Sequence, residues 1–141
     1  MQEIRTYNYT DIVLGQEESF SVTVSEHMIE SFRQNTGDIN PLHCDDNFAA
    51  DLGYPSHVAY GMLTASFLST LAGVYMPGQN CLLHEVQVKF IDPVFVGDVL
   101  TVKGVVTEKQ DLFKRIVIKV TIIKQNGAKV LRGIVKAGVL K

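Results

Sequence analysis

Asp38 and His43 stand five residues apart in the stretch GDINPLHCDD, residues 37–46. A carboxylate and an imidazole held close by an Asn-Pro turn can share one water molecule. Imidazole moves protons well near neutral pH because its ordinary pKa is about 6.5, and a carboxylate beside it can orient the water or accept from it. The chemistry open to such a pair is general acid–base work on a bound water. The same residues also suit a plain loop. Asp side chains accept from backbone amides two residues on, and a loop histidine is readily satisfied by a neighbouring carbonyl. Cys44 follows His43 directly, but adjacent turn residues rarely aim at one atom, and a metal site needs about three or four ligands. No metal is expected here, and Cys44 is not expected to act as a nucleophile. No Ser nucleophile with a charged or polar triad stands out.

The elements that must position this loop follow from spacing. ESFSVTVS (17–24) alternates through Phe20, Val22 and Val24 and reads as a half-buried strand. Ser25 is placed to cap a helix carrying Met28, Ile29 and Phe32 on one side, and Thr36-Gly37 ends it. Asp45 is expected to cap a short helix, DNFAADLG, with Phe48, Ala49 and Leu52 inward and Gly53 as its stop. YGMLTASFLSTLAGVYM (60–76) carries no charge and is apolar on every side, so it is expected as a buried helix rather than a surface one. PGQN (77–80) ends it.

From residue 81 onward the chain reads as strands. LLHEVQVKFI alternates through Val86, Val88 and Phe90, and LFKRIVIKVTIIKQ alternates through Ile116, Ile118, Val120 and Ile122. DPVFVGD is a turn, and Asn126-Gly127 is a strong hairpin signal. Helices followed by antiparallel strands imply an α+β fold, with a curved sheet packed on a long buried helix. The 141 residues suit a single domain, 1–141.

Composition narrows the function classes. Net charge is −2 with no basic block or stripe, so no nucleic-acid partner is expected. No apolar run reaches the roughly 18 residues of a membrane span. The N-terminal MQEIRTYNYT lacks a basic-then-apolar layout, so no secretory signal and a cytoplasmic location are expected. Cys44 and Cys81 form no C-x-x-C and are expected as free thiols.

The segment TGDINPLHCDDNFAADLGYPSHVAYGMLTASFLSTLAG resembles the core of the MaoC-like dehydratases, which include the (R)-specific enoyl-CoA hydratases. The shared pattern is an Asp, an Asn-Pro turn, a His five residues after the Asp, a short F-A helix and a Gly-Met-Leu helix. VKFIDPVFVGDVLTVKGVV resembles a second segment of that family, in the same order and spacing. The resemblance covers most of residues 17–141. It implies a hot-dog fold, with a central helix wrapped by an antiparallel sheet. It also implies a homodimer or higher homo-oligomer with the site near the subunit boundary. The substrate would be a thioester on coenzyme A or acyl carrier protein, with no separate cofactor.

The implied reaction is reversible hydration of a trans-2-enoyl thioester to a 3-hydroxyacyl thioester. It needs an activated water at Cβ, a proton at Cα and stabilisation of the thioester oxygen. The resemblance assigns the first two to Asp38 and His43 jointly, with Asp38 preferred as base toward water and His43 sharing that water and relaying a proton. Gly61 is implied as the backbone donor to the thioester oxygen, since amides at a helix start lack partners; it also suits a tight helix entry. Ser69 is implied as a support that hydrogen-bonds the loop, although a helical Ser can instead bond back along its own helix. Asn40 is expected to shape the turn, Asp45 to serve as a cap, and His57 and His84 to be satisfied or exposed. The sequence departs from the family at Tyr60, where many members carry His. Nor is there a clear basic cluster for coenzyme A phosphates: Lys89, Lys103 and Lys114 are scattered. The alternatives are a hot-dog thioesterase, which the Asp38–His43 spacing fits less well, and a non-catalytic acyl-thioester-binding subunit, against which the intact pair argues.

Overall fold

The computed structural model describes residues 2–141. Its elements run β1 (Glu17–Thr23), α1 (Glu26–Thr36), α2 (Asp46–Asp51), α3 (Gly61–Thr70), β2 (Cys81–Phe90), β3 (Val99–Gln110), β4 (Arg115–Lys124) and β5 (Lys129–Val139). The five strands form one antiparallel sheet in the order β1-β3-β4-β5-β2. α3 lies against one face of it, which is the hot-dog arrangement expected.

Local signals set the boundaries. The Ser25 side chain accepts from the Met28 amide at 3.2 Å, and Gly37 closes α1 in the left-handed conformation at φ 74°. Asp45 caps α2 by accepting from the Asn47 and Phe48 amides. β4 turns its Ile116, Ile118, Val120 and Ile122 side chains fully into the core, as a half-buried strand should.

Glycine allows the helix to approach the sheet. Gly104, Val120, Gly133 and Val88 form one cross-strand row. A Cβ on Gly104 would lie 2.6 Å from Leu71 Cδ2, and one on Gly133 would lie 3.1 Å from Leu68 Cδ2. The two missing side chains leave a groove that Leu68 and Leu71 fill, and both leucines are almost wholly buried.

Three expectations are corrected. Of the α2 residues expected inward, only Ala49 is buried; Phe48 and Leu52 are 41% and 59% exposed. So short a helix buries only one narrow stripe. Residues 60–76 do not form one helix buried all round. The α-helix stops at Thr70, and Leu71–Tyr75 continue as a π-type turn. A single sheet covers one side of α3, so Met62, Ser66 and Ser69 stay exposed on the other. Finally, β2 is an edge strand whose Val86 and Phe90 are exposed, so its alternation does not become half-burial within one chain.

Candidate active site

The loop between α1 and α2 is built by its own side chains. Asp38 Oδ1 accepts from the Asn40 amide at 3.1 Å, and Asn40 Oδ1 accepts from the Leu42 amide at 3.0 Å. Pro41–His43 then form a single 3-10 turn. Asn40 shapes the turn as expected. Asp38 does make the Asx-type bond, through one oxygen only. Among the described residues its Oδ2 has no partner.

His43 is oriented from outside the loop. Its Nδ1 lies 2.6 Å from the Val58 carbonyl oxygen. A carbonyl only accepts, so Nδ1 carries the hydrogen and neutral His43 keeps its lone pair on Nε2. The segment bearing Val58 is held in turn, because the Val58 amide donates to the Leu42 carbonyl and the Ala59 amide to the Val94 carbonyl, at 2.9 and 2.7 Å. The turn ahead of β3 thus supports the site indirectly. Its Asp98 accepts from the Phe95 amide at 2.9 Å.

α3 begins at Gly61, directly after Tyr60. The Leu63 and Thr64 amides donate to the Tyr60 carbonyl, but the Gly61 amide has no acceptor among the described residues. It therefore offers a free donor at the positive end of the helix. Asp38, His43, Tyr60 and Gly61 line one open cavity of about 530 Å³, together with Phe32 and Phe90. His43, Gly61 and Phe90 also line a smaller adjoining cleft of about 250 Å³ that runs toward Tyr54 and Pro93. The site residues expected from the loop and the helix start are thus brought together.

Ser69 is not. It lies two turns along α3, exposed, in a separate cleft with Gly73, Gln79 and Leu83. Within this chain it does not reach the 38–43 loop, because the helical spacing carries it away from the helix start along the exposed side. Ser66 bonds back to the Leu63 carbonyl at 2.5 Å.

Arg33 and Phe90 were not singled out by their sequence positions. Arg33 reads as an ordinary basic residue in the last turn of a helix, and Phe90 as one member of an alternating strand. Lys103 pairs with Glu17 at 3.3 Å. Lys89 lies on the sheet with Lys119 and Arg132, around a different cleft. Among the described residues no group of three or more His, Cys, Asp or Glu is arranged to hold a metal ion, and no helix is long and apolar enough to cross a membrane.

His57 ties the flanks of the loop together. Its Nδ1 meets Asp46 Oδ1 at 2.6 Å and its Nε2 meets Glu26 Oε2 at 2.8 Å, so it joins the start of α2 to the start of α1. Burial pushes its imidazole pKa down, but the hydrogen bonds to Asp46 and Glu26 outweigh this and hold it above the ordinary value. The charged form is therefore favoured by folding. Its stabilisation is complete below the unfolded pKa of about 6.5 and is lost as pH rises through the higher folded value. The expected result is a melting temperature that falls as pH rises from mildly acidic to alkaline. The fall should be shallower in His57→Gln, as read by thermal melts across that range. An identical slope in the variant would refute the linkage.

The chain matches the MaoC like domain over residues 11–128. It belongs to that family. It is 35% identical over 106 residues to an (R)-specific enoyl-CoA hydratase of Rhodospirillum rubrum, covering 72% of this chain and 74% of that protein. It is 32% identical over 120 residues to an (R)-specific enoyl-CoA hydratase of Aeromonas caviae, covering 85% and 90%. Its fold superposes on the unliganded R-hydratase of Pseudomonas aeruginosa with a TM-score of 0.90, at 26% identity, covering 96% of this MaoC-like chain and 87% of that one.

Proposed function

We propose that this protein is a hydro-lyase that reversibly hydrates trans-2-enoyl thioesters to (R)-3-hydroxyacyl thioesters, carried on coenzyme A or acyl carrier protein. One observation carries the reading: Asp38, His43 and the start of α3 at Gly61 line one cavity.

In the hydration direction a water donates one hydrogen to the Asp38 carboxylate and one to His43 Nε2. The water oxygen bonds to Cβ, and the C=C electron pair moves toward the thioester oxygen. The Gly61 amide donates to that oxygen as charge develops there. His43 takes the water proton, and its imidazolium is stabilised by Nδ1–H donating to the Val58 carbonyl. The proton then passes to Cα as the enolate electrons return, so one water is added and nothing else is consumed. The Nδ1–Val58 bond supports His43 as the base toward water as well as the proton relay expected from the resemblance, with Asp38 orienting the water rather than deprotonating it. Dehydration runs through the same groups backward. No separate cofactor enters this balance.

A homodimer completes the reading. The exposed edge of β2, with Leu82, Leu83 and Val86, and the uncovered side of α3 support a second copy there.

The test is purified protein mixed with crotonyl-CoA, following loss of the enoyl absorbance and analysing the product on a chiral phase. Turnover to the (R)-3-hydroxy thioester is expected. No turnover on short and medium chains, on either carrier, would sink the proposal, and release of free thiol would indicate a thioesterase instead.

A further inference from the structure

The geometry points to Tyr60 and Arg33 as positioning residues that lock the Asp38–His43 loop onto the start of α3. Five contacts converge there. The Tyr60 hydroxyl donates to the Asp38 carbonyl at 2.5 Å. Arg33 Nε donates to the Tyr60 oxygen at 3.2 Å, and its Nη2 donates to the His43 carbonyl at 3.1 Å. The Tyr60 ring packs on the His43 ring with centroids 4.1 Å apart, and on Phe32 at 4.7 Å. Both ends of the loop are therefore fastened, and by one connected pair of side chains.

The location gives the pair its effect. Tyr60 precedes Gly61 in the chain, so the residue that grips the loop is covalently joined to the amide that faces the thioester oxygen. Arg33, on α1, completes a brace across three elements. The loop residues Asp38, Ile39, Asn40 and Pro41 are themselves exposed and bury nothing to hold them still. Tyr60 is 1% exposed and its ring cannot wander. Burial also raises the Tyr60 pKa above its ordinary value, so the hydroxyl stays a neutral donor across the working range. Displacement of the loop by about 1 Å would separate the water-binding groups from the oxyanion donor, a change that can cost about a hundredfold in rate.

This inference rests on the hydratase reading, and its test uses two readouts so that the failures differ. Tyr60→Phe keeps the ring and removes the hydroxyl; Arg33→Gln removes both guanidinium contacts. Each should lower kcat about tenfold or more while leaving KM within about twofold, because the substrate is still held but the reacting groups are misaligned. Arg33→Lys should recover part of the loss. The second readout is amide hydrogen exchange in residues 39–45, expected to quicken about tenfold in both variants with the exchange of β3–β5 unchanged. If wild-type enzyme turns over but both variants keep full kcat, or if KM rises in step with the loss, the positioning role is wrong. If the wild type shows no turnover, the hydratase reading fails and loop exchange alone decides the brace: unchanged exchange in both variants overturns it. If Tyr60→Phe does not fold, Arg33→Gln, altered at a helix surface, decides by the same criteria.

Discussion

Asp38→Asn and His43→Ala each lower kcat by about 10²–10⁴-fold in the enoyl-hydration assay. Asp38→Asn is the sharper of the two. Its remaining side-chain oxygen can still accept from the Asn40 amide, as Asp38 Oδ1 does at 3.1 Å, so the turn survives and only the negative charge is lost. His43→Ala removes the ring between the Val58 carbonyl and the Tyr60 ring. The vacated space opens to the cavity, where solvent can satisfy Val58, so thermal melts should show folded protein in both variants. The double variant is expected to lose little more than the worse single one, because two groups acting on one water work as a unit. Either single variant at full rate, with an intact melt, would remove that residue from the chemistry.

Gly61→Pro lowers kcat by about 10²–10³-fold, the usual effect of losing one oxyanion donor, and leaves the fold standing. Proline is tolerated at the first helical position, because the amide it deletes there has no helical partner in any case. Tyr60 sits at φ −62° and ψ 128°, the extended conformation that a following proline demands. The control is Gly61→Ala, which keeps the N–H. Its Cβ would lie 3.2 Å from the Phe90 ring, but Phe90 is 52% exposed and can turn aside. The prediction is a large kcat gap between the two variants with similar melting temperatures. Equal loss in both would mean that side-chain bulk at this position, rather than a missing amide, is responsible.

The His57 brace and the Tyr60–Arg33 brace act on the same loop from different sides. His57 joins the two helices between which the loop runs, at Glu26 of α1 and Asp46 of α2, and the very next residue, Val58, supplies the carbonyl that holds His43. A loop rich in polar residues and exposed to solvent thus gains its fixed geometry from side chains lying outside it, which is how a rigid scaffold presents reactive groups.

The features legible in the residues alone are those that arise within a few positions of one another. Ser25 and Asp45 cap helices through amides two or three residues on, Gly37 ends one through its own backbone freedom, and the Asn126-Gly127 turn joins β4 to β5. The alternation of Ile116 to Ile122 is likewise written in the chain, and so is the Asp38-to-His43 spacing with its Asn-Pro turn. The rest depends on contacts between segments far apart in the chain. Whether Phe48, Leu52, Val86 and Phe90 are covered depends on which elements arrive beside them, and an apolar residue carries no record of that. The tautomer of His43 depends on Val58, fifteen residues away, and the hold on Asp38 on Tyr60, twenty-two residues away. Arg33 gained its place from two partners that lie on neither its own helix nor its own turn. Ser69 shows the same limit in reverse: its place in the helix was legible, but the side it presents was set by a sheet that covers only one face of α3.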